Sequence, residues 1–126
     1  MLEKIKTKTK LQTVKEELNA NAKSYGFGVL GSYEFKKILE TKGFPIEREI
    51  VTYEVCNPKA AHDALSEFPE ISSFLPCRVS VYSDGEETII STINISVVLE
   101  SIDVNKELEK HLQTVYDNLI KFMKSL

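Results

Sequence analysis

The side chains able to carry chemistry are few, and two of them, Cys56 and Cys77, are the chain's only cysteines. Cys56 stands directly before Asn57-Pro58, a cap residue followed by the proline that suits a first helical position. Unpaired amides and the helix dipole at such a start stabilise an anion, so the setting predicts a lowered thiol pKa and a thiolate fit for redox or sulfur-transfer work. The same residue ends an apolar strand, where cysteine serves equally well as a small hydrophobe. Cys77 shares strand parity with Val79 and Val81 and reads as buried packing, or as a resolving partner for Cys56. A structural disulfide is not expected in a reducing compartment, and any transient one needs α-carbons within about 7 Å.

His62 follows early in the helix begun at Pro58 and offers a base for Cys56, or else an ordinary exposed helix position. Glu107 precedes His111 by one helical turn, which accounts for both as a solvated ion pair. With two cysteines and two histidines no metal signature of recognised spacing forms, and no metal site is assigned. Glu47, Glu49 and Glu54 are carboxylates without a partner fixed by sequence, and Ser72-Ser73 lacks the surroundings of a serine nucleophile. Gly26-Phe27-Gly28-Val29-Leu30-Gly31 has the spacing of a dinucleotide loop but not the βαβ unit with a following acid, so its glycines read as close backbone packing.

These residues must be held by one body. A length of 126 residues suits a single domain, and 42% hydrophobic with 28% charged residues is globular composition. A net charge of -3 argues against nucleic acid, and the row Lys4, Lys6, Lys8 and Lys10 reads as the guard of an edge strand. The start, MLEKIKTKTKLQ, has no apolar run for a secretory signal and no segment is long enough to span a bilayer, so a cytoplasmic protein without membrane contact is expected. On that expectation the Asn94-Ile95-Ser96 sequon is inert.

Along the chain, residues 2–8 alternate as a weak strand, and Thr9 with Gln12 forms a capping box for a helix whose stripe is Leu11, Val14, Leu18, Ala22 and Tyr25, ending at Gly26. A strand over 27–32, a helix over 33–42 and a strand ending in Ile50 to Val55 follow. Pro58 opens a third helix with Ala61, Ala64, Leu65 and Phe68 inward; irregular helix over 70–75 leads through Pro76 to the strand Cys77–Tyr82. Asp84-Gly85 signals a hairpin into Thr88–Ile93, and Asn105 caps a long helix with Leu108, Leu112, Val115, Leu119, Phe122 and Leu126 on its stripe. The order β-α-β-α-β-α-β-β-α predicts an α+β two-layer sandwich, a mostly antiparallel sheet with helices on one face.

Gly26-Phe27-Gly28-Val29-Leu30, then Val55-Cys56-Asn57-Pro58-Lys59-Ala60-Ala61, then Pro69-Glu70-Ile71 and Leu75-Pro76-Cys77 with Val79-Ser80-Val81-Tyr82 together resemble the uncharacterised family known as domain of unknown function 302, over essentially the whole chain. The resemblance implies a TATA-box-binding-protein-like fold and a homodimer, without implying DNA binding. It carries no established activity or cofactor, and the segment NISVVLESIDV follows the family pattern only loosely. What it adds is weight on the two cysteines and their neighbours Asn57 and Pro76. Three readings follow: a homodimer binding a small ligand near Cys56, Asn57, Pro76, Cys77 and His62; a thiol enzyme with Cys56 as nucleophile and Cys77 as its resolving partner; or a structural dimer joined through the carboxy-terminal helix or the Ile50 strand face.

Overall fold

The computed structural model describes residues 1–126. Its elements are β1 (Leu2–Thr7), α1 (Leu11–Ser24), β2 (Gly28–Glu34), α2 (Phe35–Thr41), β3 (Ile50–Cys56), α3 (Pro58–Glu67), a 3₁₀ helix (Pro69–Phe74), β4 (Cys77–Asp84), β5 (Glu87–Ile93), α4 (Ile95–Ser101) and α5 (Lys106–Lys124). The strands form one sheet in the order β1-β5-β4-β3-β2, every neighbouring pair antiparallel. The α+β sandwich is therefore as expected, with α4 as an addition. Asn94 explains that helix: its side chain accepts the amide of Ser96 at 2.9 Å and turns the chain out of β5. The β-branched run Ile95, Val97, Val98 hides the helix from a propensity reading.

Strand alternation sorts the sheet. Val51, Tyr53 and Val55 pair in register with Val81, Val79 and Cys77 and, with Ile90, face α1 and α5, whose Val14, Leu18, Ala22, Leu119, Phe122 and Met123 complete the main core. Phe27 and Phe122 stack at 6.2 Å between centroids. A second cluster, Ala64, Ile71, Leu99, Leu108 and Leu112, joins α3, the 3₁₀ helix, α4 and the first half of α5. Ile50, Thr52, Glu54, Arg78, Ser80 and Tyr82 have the opposite parity and point away from the helices.

Three local expectations are corrected. Thr9 does not cap α1: the cap position is Lys10, without a side-chain bond, because the Thr7 hydroxyl takes the Thr9 amide at 3.2 Å and the Thr9 hydroxyl lies 3.1 Å from it. Gln12 instead bonds Glu16 at 3.2 Å. β2 runs on to Glu34 because its pairing with β3 continues to Val51, so α2 starts later than its pattern suggests. In α3 the buried positions are Ala60 and Ala64, while Leu65 is exposed, since α3 packs on the 3₁₀ helix and α5 rather than flat on the sheet. The Asp84-Gly85 signal places the hairpin correctly, with Gly85 at φ +64° and Asp84 opposite Glu87.

Asn105 and Asn57 both cap as expected, accepting the amides of Leu108 at 2.8 Å and Ala60 at 3.1 Å. Gly26, at φ +88°, closes α1 with Phe27 N–H donating to the Ala22 carbonyl at 2.9 Å, which drops Phe27 into the core. Two of the three loose carboxylates are also accounted for: Glu49 shares Lys15 with Glu34, at 2.8 and 2.9 Å, and Glu54 accepts from the Tyr33 hydroxyl at 2.9 Å.

Candidate functional site

β3 delivers Cys56 to the end of the sheet, and Asn57 turns the chain at once into α3. That helix presents Ala60, Ala61 and Ala64, side chains too short to reach the facing wall. The 3₁₀ helix brings Ile71 and Phe74 across, the chain passes through a cis Leu75–Pro76 bond, and β4 begins at Cys77 opposite Val55. α5 closes the other side with Leu112, Val115, Tyr116 and Leu119. A cavity of about 60 Å³ is left, with 15 of its 17 lining residues hydrophobic. A second, of about 140 Å³, abuts it towards β5 and α4 and reaches Thr92, Ile95 and Val98. Leu75, Pro76, Cys77, Tyr116 and Leu119 line both, so the two adjoin across a shared wall and are here called the cleft.

Cys56, Asn57, Pro76 and Cys77 all line the first cavity. Both cysteines are free and half-buried. The thiol chemistry differs from expectation: burial pushes the Cys56 thiol up rather than down, and burial followed by the neighbouring Cys56 charge pushes Cys77 up as well. The helix start supplies little to oppose this. Pro58 has no N–H, and the Asn57 side chain already occupies the Ala60 amide. Alkylation of either thiol is therefore expected to set in above the free-thiol pKa of about 8.5, with Cys77 slower than Cys56. A midpoint below about 7 for Cys56, read from iodoacetamide rates against pH by peptide mass spectrometry, would overturn that.

His62 is not part of the site. Its side chain is 79% exposed and its Nδ1 lies 3.1 Å from Asp63 Oδ1, because position 62 falls on the outer face of α3, away from Ala60 and Ala64. The Cys56–His62 pair is corrected accordingly. His111 also differs from the expected pairing with Glu107: its nearest carboxylate is Asp63 on α3, at 3.9 Å. No three histidine, cysteine, aspartate or glutamate side chains converge on a point where a metal ion could sit.

The residue that sequence reasoning missed is Tyr116. Its hydroxyl is buried without a hydrogen-bond partner in the protein, and burial, then the charges of Glu3 and Asp117, push its pKa up. One signal pointed to it: Tyr116 is one turn after Leu112 and beside Val115 on the apolar stripe of α5, so a polar tip was being carried to the helix-facing side.

The family model described as "Domain of unknown function DUF302" matches residues 3–126. The crystal structure of an uncharacterized conserved DUF302 protein from Bacillus stearothermophilus shares the fold at a TM-score of 0.89 and 25% sequence identity, covering 98% of this chain and 95% of that one. No curated protein matches the chain at a significant level.

Proposed function

This chain belongs to the DUF302 family, a domain of unknown function, and from that premise we propose that it is a binding protein whose cleft beside Cys77 and Pro76 takes a small, largely apolar ligand. The observation that carries the reading is the cleft itself, its inner cavity lined almost entirely by hydrocarbon, with Tyr116, whose hydroxyl is buried without a protein partner, among the residues that line it. A buried hydroxyl left unpaired costs about 1–3 kcal/mol, and a ligand with one polar end recovers it. The larger cavity, about 140 Å³, compares with the roughly 150 Å³ that accommodates benzene in an apolar core, so the ligand's body is about one ring or a short alkyl chain. The thiol-enzyme alternative gains no support from thiols pushed up in pKa.

Tyr116→Phe tests the reading through two measurements of opposite sign. Unliganded stability by urea unfolding is expected to hold or rise by up to about 1 kcal/mol, because an unpaired polar atom is removed. Affinity for the protein's ligand, identified by native mass spectrometry of protein purified from its own cell, is expected to fall about tenfold. A clear loss of unliganded stability with unchanged affinity would mean that the hydroxyl serves the fold.

The proposal includes a cytoplasmic homodimer joined through the sheet face that carries Ile50. The stripe of α5 is consumed by its own core, with Leu108, Leu112, Leu119, Phe122 and Met123 all buried, which leaves that helix little to offer a second copy. The open face retains exposed Leu2, Leu30, Tyr33 and Ile93. Light scattering at micromolar concentration is expected to give twice the 14.3 kDa chain mass, and Tyr33→Asp with Ile93→Asp is expected to return it to one. A wild-type monomer, or a dimer indifferent to both substitutions, removes this interface. No helix is long and apolar enough to cross a membrane.

A further inference from the structure

The larger cavity reaches past the helix-facing side of the sheet. Thr92 and Tyr116 line it from that side, but Arg78 and Ile93 line it as well, and strand alternation gives those two the parity of the open face. The cavity therefore extends to the end of the sheet where β4 begins and β5 stops. Both residues are exposed, which makes this end the mouth and the hydrocarbon-lined cavity beside α3 the interior. Arg78 is the one charged residue that lines either cavity, and it stands without an ion pair: the pairs of this structure join Lys15, Lys37, Lys59 and the histidines to Glu34, Glu49 and Asp63. Glu54, opposite Arg78 in register, accepts from the Tyr33 hydroxyl instead. The Thr92 hydroxyl donates to the Arg78 carbonyl at 2.7 Å and so ties the Arg78 backbone to β5 at the mouth. Tyr116 adds its unpartnered hydroxyl and Ser73 a second hydroxyl. Glu3 and Asp117, whose charges act on Tyr116, line neither cavity.

We propose that the cleft takes a small apolar acid, an aryl or alkyl carboxylate, with its body inward and its head at the mouth, and that Arg78 sets the preference for negative charge. The inference rests on the cleft being a ligand site. A carboxylate brings acceptor oxygens and no donor, which suits a guanidinium without a carboxylate of its own and the hydroxyls of Tyr116 and Ser73 at the same cavity. An ammonium head meets the Arg78 charge there with no lining carboxylate to offset it. Because the mouth is exposed, the head keeps part of its hydration while the hydrocarbon is withdrawn from water.

The test compares three probes with the same ring: toluene, benzoate and benzylamine, titrated at neutral pH and low salt and followed through the methyl resonances of Ile95 and Leu119, which line both cavities. Benzoate is expected to bind about tenfold more tightly than benzylamine. Arg78→Gln is expected to bring the two within about threefold while toluene affinity stays unchanged, and Arg78→Lys, which keeps the charge, is expected to retain most of the difference. Salt at about 0.5 M is expected to shrink the wild-type preference, since the mouth is open to solvent. Benzylamine binding as tightly as benzoate, or a preference that survives Arg78→Gln, overturns the acid inference. If toluene still binds in that case, the cleft reading stands without it. If no probe moves either methyl group, both fall together.

Discussion

Truncating Phe122 to alanine is expected to cost about 3–5 kcal/mol of stability, the usual range for an aromatic ring removed from a closed core. The ring is fully buried, is stacked on Phe27 and lies in the cluster that joins α1, α5 and the helix-facing side of the sheet. Against a total stability of about 5–15 kcal/mol for a domain of this kind, the loss is a large fraction, and the melting temperature should fall by roughly 10–20 °C. Urea unfolding followed by circular dichroism reads it directly; a loss below about 1.5 kcal/mol would mean that the core repacks around the gap. Phe122 lines neither cavity, so toluene affinity of the variant that remains folded should stay within about twofold of the parent.

Leu119→Ala is expected to combine a similar loss with a change of ligand. The side chain is 2% exposed, and it lines both cavities one turn from Tyr116. Shortening it costs about 2–5 kcal/mol, the lower part of that range being expected because space already adjoins the site. The same change opens the partition between the two cavities. Affinity should therefore shift towards larger bodies: relative to toluene, naphthalene should gain about tenfold or more. Calorimetry on the folded variant, with denaturant curves alongside, checks both halves. If stability falls but the order of affinities is unchanged, Leu119 is packing alone and the cleft is not continuous.

The two substitutions sit one turn apart on the same helix, and their contrast shows what a linear stripe conceals. Leu112, Leu119 and Phe122 are equivalent in the periodicity of α5. In the fold, Phe122 meets the centre of the sheet, whereas Leu112 and Leu119 face the gap beneath alanine-rich α3. An apolar period reports that a side chain is turned inward; it carries no information on how far away the facing wall is. The same limit applies to α3, where Ala60 and Ala61 look like ordinary helix formers until the 3₁₀ helix is placed opposite them.

Much was determined by the sequence alone. Alternating strands, the Asn57-Pro58 and Asn105 caps, the Asp84-Gly85 turn and the stripes of α1 and α5 suffice for an α+β sandwich, because each depends on neighbours within a few residues. The motif residues Cys56, Asn57, Pro76 and Cys77 stand out in the sequence, but only the fold brings them to the wall of one cavity. The tertiary structure alone decided the rest: it placed His62 in solvent, raised the thiols that a helix start was expected to activate, and left the Tyr116 hydroxyl buried without a partner. Each of those outcomes depends on desolvation and on side chains far apart in sequence. Desolvation is a property of what packs around a group, and local spacing does not encode it.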